Sequence, residues 1–422
     1  MLNRKAKETG YRNTRVGWIP ADWSCERADS SVSCSNKKGD NELPLYSVTL
    51  DSGLIRRDSL DRKIDSELEG EDCLLVKKGD LTYNTMRLWQ GAIGLAEEDC
   101  TVSPAYVVIK PGKQTFPKFL YYLFKTPLYL YLFKSYSYGL TNDRLRLYPK
   151  DFSMIPLVKP SIPEQKKIAE ILSTWDAAIE KLEKLIALQE KRKRGLMQQL
   201  LTGKKRLPGF GKATSNKNSI PAGWSKKALI ELGNFSKGTA VLKDKLQNSG
   251  IPCILYGDLY TKYNYTINKI QSYLETETYN VDAIVRYGDV LFAGSGETAE
   301  EIGKSAVILS KDPIIIGGDI IILSNHDQDP IFLGFALESH PVRKQKSLTG
   351  QGHSIVHIYS SSLQNIEVLL PSVEEQSRIG EILQSTEEMI NTSKQILNTH
   401  NKQKQALMQK LLSGEVRVKH GQ

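Results

Sequence analysis

SIPEQKKIAEILSTWDAAIEKLEKLIALQEKRKRGLMQQLLTGKKR, Ser161 to Arg206, is answered 211 residues later by SVEEQSRIGEILQSTEEMINTSKQILNTHNKQKQALMQKLLSGEVR, Ser372 to Arg417, and the two align without a gap. From Pro160 to Arg206 against Pro371 to Arg417, 18 of 47 positions are identical, so an internal repeat organises the chain. Each copy carries the start and stop signals of one long helix. Ser161 with Glu164, and Ser372 with Glu375, spell the S-x-x-E capping box, in which side chain and backbone satisfy each other's orphan N–H groups. Gly203 and Gly414 supply the left-handed residue that ends a helix. Between them Ile168, Leu172, Trp175, Ile179, Leu182 and Ile186 alternate at spacings of four and three, the seam of a coiled coil. The second copy keeps Ile379, Leu383, Ile390 and Leu397 on the seam, with Thr386 and Ser393 between them. One such stripe is what any amphipathic core helix shows. Two copies of about 40 residues, each extending roughly 60 Å, are longer than a compact domain needs, and predict helices that pair with each other between two globular units.

The segments between the helices are related more loosely. Ile19-Pro-Ala-Asp-Trp23-Ser opens the first and Ile220-Pro-Ala-Gly-Trp224-Ser the second; Lys78-Gly-Asp-Leu81 recurs as Tyr287-Gly-Asp-Val290, and Arg146-Leu-Tyr148 faces His357-Ile-Tyr359 at the offset of the helices. Strands are expected at Leu74 to Val76, Val102 to Ile109, Ala306 to Leu309 and Ile314 to Leu323, and helices at Lys118 to Phe124 and Ile331 to Leu337. The fold class read from this is α+β: two globular α/β domains separated by two long helices that pair as an antiparallel coiled coil, a pseudo-two-fold tandem repeat. The boundaries are 1–160, 161–206, 207–371 and 372–417, with 418–422 as a tail. The stretch Thr202 to Ser219, rich in Gly, Lys and Ser, reads as the linker.

Composition is that of an ordinary soluble protein, 40% hydrophobic and 25% charged. The most apolar run, Phe119 to Phe133, is interrupted by Lys125 and Pro127 and reads as a buried aromatic helix or helix pair, too short and broken to span a bilayer. Five cysteines without a C-x-x-C pair argue against a disulfide framework and against zinc, and fit a reducing cytoplasm. The net charge of +9 suggests a polyanionic partner. It is unevenly spread: residues 164–206 hold 11 basic and 6 acidic side chains, whereas 207–374 hold 15 and 17. The second globular segment must therefore meet such a partner, if at all, through a local basic cluster.

A search for catalytic constellations finds no N-P-P-Y or D-P-P-Y tetrad, no F-x-G-x-G loop, no G-x-x-x-x-G-K-[ST] and no H-E-x-x-H, and the six histidines have no metal-ligand spacing. Gly294-Ser-Gly296 lacks the G-x-S-x-G spacing of a nucleophile elbow and reads as a flexible loop. Asp289, Glu297, Glu300 and Glu301 have no E-x-K at the distance a magnesium nuclease would need.

With the repeat, two dissimilar globular units and no catalytic motif in view, the chain resembles the specificity subunit of type I restriction-modification systems. The resemblance rests on Ile162-Pro-Glu-Gln165 and Val373-Glu-Glu-Gln376, on the helix starts Ile168-Ala-Glu-Ile-Leu172 and Ile379-Gly-Glu-Ile-Leu383, and on the helix ends Gly195 to Gly203 and Ala406 to Gly414. It implies a DNA-binding, non-catalytic subunit of a DNA methyltransferase or type I site-specific endonuclease complex. Each globular segment would be a target recognition domain reading half of a bipartite duplex target, and the helices would set the spacer and dock two methyltransferase subunits. S-adenosylmethionine, ATP and magnesium would belong to those subunits and to the restriction and translocase subunits, and no cofactor to this chain. Two other classes stay open at this stage: a coiled-coil interaction protein without a DNA role, and a self-contained restriction enzyme, against which the missing motifs speak.

Base readout needs polar side chains held on loops, and phosphate contacts need positive charge. In the first segment the candidates are Asn84, Arg87 and Gln90, with Trp89 as loop or core, and Tyr138, Thr141, Arg144 and Arg146, whose alternation places both arginines on one face of an extended chain. In the second they are Arg343, Lys344, Lys346, Thr349 and Gln351 on a basic, Gly-containing loop, with Lys237 and Lys262 as weaker candidates. The run Lys191 to Arg194 admits three readings: a solvated helix face, a docking patch, or phosphate contacts.

Overall fold

The computed structural model describes residues 10–59, 72–213, 219–239, 246–275, 284–352 and 355–419. It divides into two compact units, Met1–Leu182 with Ile396–Gln422, and Glu183–Gln395. The division cuts each long helix, Ile162–Leu200 and Val373–Leu412, near its middle. It therefore differs from the four consecutive segments read from the sequence, because each half of a helix packs into a different core.

Within the first unit, one sheet runs in the order Val32–Ser35, Tyr106–Pro111, Leu81–Asn84, Ile93–Leu95, all antiparallel. A second runs Leu54–Arg56, Leu45–Val48, Cys100–Val102, Leu74–Val76, with one parallel pair between Leu45–Val48 and Cys100–Val102. The second unit has a five-stranded sheet with Asn234–Lys237, Ile320–Ser324, Val290–Ala293 and Ser305–Ile308 antiparallel in the corresponding order and Thr266–Ile267 added parallel to Ser305–Ile308, and another whose parallel pair joins Ile251–Ile254 to Ile314–Ile316. The mixture is α+β. The expected single strands Val102 to Ile109 and Ile314 to Leu323 are each two. Ser103-Pro104-Ala105 and Gly317-Gly318 are turn formers, and the strands on either side enter different sheets.

The apolar run Phe119 to Phe133 forms a helix pair, Pro117–Phe124 and Pro127–Ser135, each opened by a proline. Phe124 meets Tyr129 and Phe133 at ring-centroid distances of 5.5 and 5.4 Å, and these rings are buried with Trp23, Tyr83 and Phe152 in the first core. Among the described residues, no helix is long and apolar enough to cross a membrane. All five cysteines are free thiols.

The long helices contribute to both cores. In the first unit Ile168 and Leu172 are buried against Leu411 and Leu412, the end of the other helix; in the second Ile379 and Leu383 are buried with Leu200 and Leu201. Ile179 and Ile390 are also buried, while Trp175, Leu182, Ile186 and Leu397 are half-buried. Polar groups interrupt the apolar seam. Lys193, one of the run Lys191 to Arg194, is buried: its Nζ donates to Glu387 at 2.8 Å and reaches Glu190 at 3.0 Å. It also lies 5.3 Å from the centre of the Tyr265 ring. Burial disfavours the Lys193 charge, but Glu387 and Glu190 more than offset this and hold its pKa above the ordinary lysine value. In the first unit Lys404 pairs with Asp176 over the Tyr122 ring, and Trp175 meets His400 edge-to-face at 5.5 Å. Thr386 and Ser393 thus neighbour a charged layer that the apolar stripe did not reveal.

The helix starts depart from the expected capping box. Ser372 Oγ accepts from Glu375 N at 3.4 Å, but both glutamates turn inward. Glu164 accepts from Trp23 Nε1 at 3.3 Å and from Arg417 at 2.8 and 3.0 Å; Glu375 accepts from Trp224 Nε1 at 3.1 Å and from Arg206 at 2.7 and 2.8 Å. A buried carboxylate needs such donors, and the indole and guanidinium outcompete the helix terminus. Arg206, read as linker, is therefore part of a clamp. The adjacent glutamines tie the helix start to its own globular core: Gln165 Oε1 accepts from Phe116 N at 2.7 Å, and Gln376 Oε1 from Asp329 N at 3.0 Å. At the helix ends Gly203 (φ +67°) and Gly414 (φ +74°) are left-handed, and a Cβ on either would overlap the ring of Pro221 or Pro20. The Ile-Pro-Ala-x-Trp opening of each globular segment thus supplies both the proline that the glycine abuts and the indole that the glutamate holds.

Candidate nucleic-acid interface

In the first unit the strand Leu81–Asn84 runs into a tight loop. Asn84 Oδ1 accepts from Met86 N at 2.9 Å, Trp89 Nε1 donates to Met86 O at 3.1 Å, and Gly91 closes the turn at φ +98°. Leu88 anchors the loop in the core while Arg87 and Gln90 stay exposed, joined by a 3.3 Å bond from Arg87 Nη1 to Gln90 Oε1. Lys134 Nζ lies 5.4 Å from the centre of the Trp89 ring, and that indole is half-buried, packed against the edge of the first core. The second candidate stretch comes to the same place. Tyr138 and Arg146 exchange backbone hydrogen bonds of 3.0 and 2.8 Å, and Leu147 N donates to Thr85 O at 2.9 Å, stitching the two loops together. Tyr138 is 66% and Leu140 96% exposed, and Thr141, Arg144 and Arg146 are exposed with them. The result is a rigid frame carrying three arginines and exposed aromatic and aliphatic side chains. This combination suits a polyanion with flat bases, and within the stretches 84–90 and 138–146 Asp143 is the one acid.

The second unit places its candidates differently. His340–Thr349 is a helix, not a loop, because Pro341 fits its first turn and Val342 and Lys346 share a buried face. Lys346, proposed from sequence as a DNA contact, is 1% exposed. Its Nζ donates to Glu338 Oε1 and Gly303 O, each at 2.7 Å, and lies 3.4 Å from Ser305 Oγ, so it is removed from any duplex. Burial would raise the Glu338 carboxyl, but the Lys346 ammonium, with Lys304 beyond it, holds it below the usual carboxylate range. Burial alone would favour neutral Lys346; the two acceptors at 2.7 Å and the neighbouring hydroxyl give all three ammonium hydrogens a place, and we take the pair as ionised. Arg343 and Lys344 are exposed, the former donating to Glu300 O at 3.2 Å. Thr349 Oγ1 is used on Lys346 O at 2.9 Å. Lys262 is engaged by Asp258 at 2.8 Å and Ser272 at 2.7 Å. Lys237 and Gln351 are exposed.

The frame seen in the first unit has its counterpart here, joining Gln351, a candidate from the sequence, to His357, which was not one. Gln351 and His357 exchange backbone hydrogen bonds of 2.9 and 2.8 Å, and Ile358 N donates to Gly294 O at 2.9 Å. Ser295–Gly296 is a short strand paired with Val356–His357, not a free loop. Ser295 Oγ lies 3.0 Å from Asp319 Oδ2 and 2.9 Å from His357 Nδ1. A cleft of about 470 Å³ opens beside them, lined by Phe235, Lys237, Asp319, His357 and Tyr359 among others. The signal was the match of Arg146-Leu-Tyr148 to His357-Ile-Tyr359, which pointed to this loop where charge counting pointed to Lys346. Asp80 and Asp289, the recurrent turn aspartates, accept from Lys77 N at 3.0 Å and Arg286 N at 2.8 Å. Burial raises both carboxyls, and they serve as turn locks. Among the described residues no group of three or more His, Cys, Asp or Glu is placed to hold a metal ion.

The family model for the type I restriction modification DNA specificity domain matches residues 26–190 and again 221–400. The chain belongs to that family. The specificity subunit of the type I restriction enzyme MjaVIII from Methanocaldococcus jannaschii is 25% identical over 431 residues, covering 98% of this chain and 97% of its own. In fold, the chain is similar to the S subunit of a type I restriction-modification system from M. genitalium, with a TM-score of 0.58 and 16% identity over 92% of this chain and 96% of that one. It is also similar to a chain from a structure of a type I R-M system, with a TM-score of 0.51 and 18% identity over 94% of this chain and 99% of that one. The two specificity-domain matches fall one in each half of the chain, and each includes the exposed loop frame just described. The chain is thus a type I restriction-modification specificity subunit, and the reading as a coiled-coil interaction protein without a DNA role finds no support.

Proposed function

We propose that this specificity subunit reads a bipartite duplex target, one half with each unit, and itself performs no chemistry. The observation that carries the reading is the presence of two specificity-domain matches in one chain. Loops Asn84 to Gln90 and Tyr138 to Arg146 would read in the first unit; Lys237, Gln351 and the loop around His357 would read in the second, with Arg343 and Lys344 near phosphates. The chain reads as a tandem duplication whose long helices pair antiparallel as a coiled coil. Support for this lies in two ion pairs, Lys193 with Glu387 and Lys404 with Asp176, whose members correspond at the same 211-residue offset. The helices would set the spacer and, with the exposed Lys191, Arg192 and Arg194, dock two methyltransferase subunits. Those partners would supply S-adenosylmethionine, and a restriction and translocase subunit would supply ATP and magnesium chemistry. The domain boundaries 1–160, 161–206, 207–371 and 372–417 remain our reading of the evolutionary modules, and a cytoplasmic location follows from the nature of the target.

The test is co-expression with the partner methyltransferase and mapping of modified bases. We expect adenine methylation at one bipartite motif and none from the purified chain alone. Methylation by the chain alone, or by the complex without sequence preference, would overturn the reading.

A further inference from the structure

We propose that His357 is a base-reading residue of the second unit, and that Ser295 and Asp319 hold its ring so that Nε2 offers a lone pair to an exocyclic amino group in the major groove, cytosine N4 or adenine N6. The assignment rests on the specificity reading above.

The first support is the frame. His357 stands 211 residues after Arg146, and both sit in the same small construction, a pair of reciprocal backbone hydrogen bonds followed by a residue whose N–H ties the loop to the neighbouring strand end. The second is the hydrogen-bond chain. Ser295 is buried and its hydroxyl has a single hydrogen. A carboxylate only accepts, so the 3.0 Å contact to Asp319 uses that hydrogen, and the 2.9 Å contact to His357 is donated by Nδ1–H. The tautomer is thereby fixed, and in the neutral ring Nε2 is an acceptor. The order Asp319, Ser295, His357 also turns the hydroxyl proton away from the imidazole, so the serine is not activated as a nucleophile. The third is access. His357 lines the cleft with Lys237 and Tyr359, and among the described residues Nε2 has no protein partner.

In the major groove only cytosine N4 and adenine N6 present donors. An acceptor at His357 selects them, whereas Arg146 at the matching position carries only donors and suits guanine O6 and N7. One backbone frame with opposite hydrogen-bond sense is a simple way for two similar units to read unlike half-sites.

The experiment uses the full chain with its methyltransferase partner, mapped at mildly alkaline pH, where free imidazole is neutral. His357→Ala should relax discrimination at one position of one half-site by about tenfold to a hundredfold, leaving the other half-site and the spacer unchanged. Ser295→Ala, which frees the tautomer, should relax the same position to a smaller extent. An unchanged motif in His357→Ala overturns the assignment alone, while a wild-type complex without sequence preference overturns the specificity reading and this assignment with it. If the His357→Ala complex does not assemble, duplexes decide with the wild-type complex. Purine for adenine, or 2-pyrimidinone for cytosine, each deleting the amino group, should cost about tenfold in affinity at one position of that half-site; no loss at any position overturns the proposal.

Discussion

Lys346 and Lys344 are two residues apart in one basic run, yet one is sealed against Glu338 and the other is in water. Composition cannot separate them, because the difference comes from a helix that turns position 346 inward. Their substitution should separate them clearly. Lys346→Ala removes the nearest cation from the buried Glu338 carboxylate, leaving it Ser305 at 2.6 and 2.9 Å and Lys304 at 3.9 Å, and should cost about 3 kcal/mol, whereas Lys344→Ala should stay within about 0.5 kcal/mol; urea denaturation of the full chain measures both. The pair also carries a pH signature. Glu338 is held below the usual carboxylate range, so its contribution is fully present above the unfolded-state carboxyl pKa and is lost as pH falls through the lower folded-state value. The stability difference between wild type and Glu338→Gln should therefore shrink in acid. A Lys346→Ala variant as stable as wild type would show that the pair is not ionised as drawn.

Each long helix is bounded by glycine and glutamate whose identities were readable, but only the glycine's work was. A left-handed stop is a local backbone requirement, so Gly203 and Gly414 could be recognised from their own neighbourhood. The glutamate's partners, Trp23 with Arg417 and Trp224 with Arg206, lie 141 to 253 residues away, and no local pattern distinguishes a capping carboxylate from a clamp. The buried ion pair escaped for a related reason: Lys193 looks like its solvated neighbours until Glu387 is placed opposite. Two glycines of the helices should respond in opposite directions. Gly414→Ala meets both positive φ and the Pro20 ring, and should cost about 1–3 kcal/mol. Gly195, with open space around its Cβ position in a helix interior, should gain up to about 1 kcal/mol when changed to alanine, the residue that stands at the matching position Ala406. Comparable urea midpoints for the two variants would contradict this account of the helix ends.

At the scale of the whole chain, the periodic helices and the apolar helix pair were legible because each follows one local rule over many residues. The sheets were not, since strands of two to six residues change sheet at turns such as Gly317-Gly318, and which sheet a strand joins is decided by distant partners. The loops proposed to read DNA fell between: the Arg146 and His357 correspondence was visible, but Ser295 and Asp319 meet His357 only through folding. The same division of labour gives a test of the helices as a ruler. Compactness divides the helices between Leu182 and Glu183 and between Gln395 and Ile396, so insertions there leave every ion pair and core contact described above within its own unit. Seven helical residues added at both places extend each helix by about 10 Å, or about three base pairs at 3.4 Å each. Methylation mapping should return the same two half-sites with a spacer longer by about that amount. Insertion into one helix alone leaves its partner about 10 Å short and should abolish methylation. A double-insertion variant that keeps the original spacer would mean that the half-site distance is set by something other than helix length.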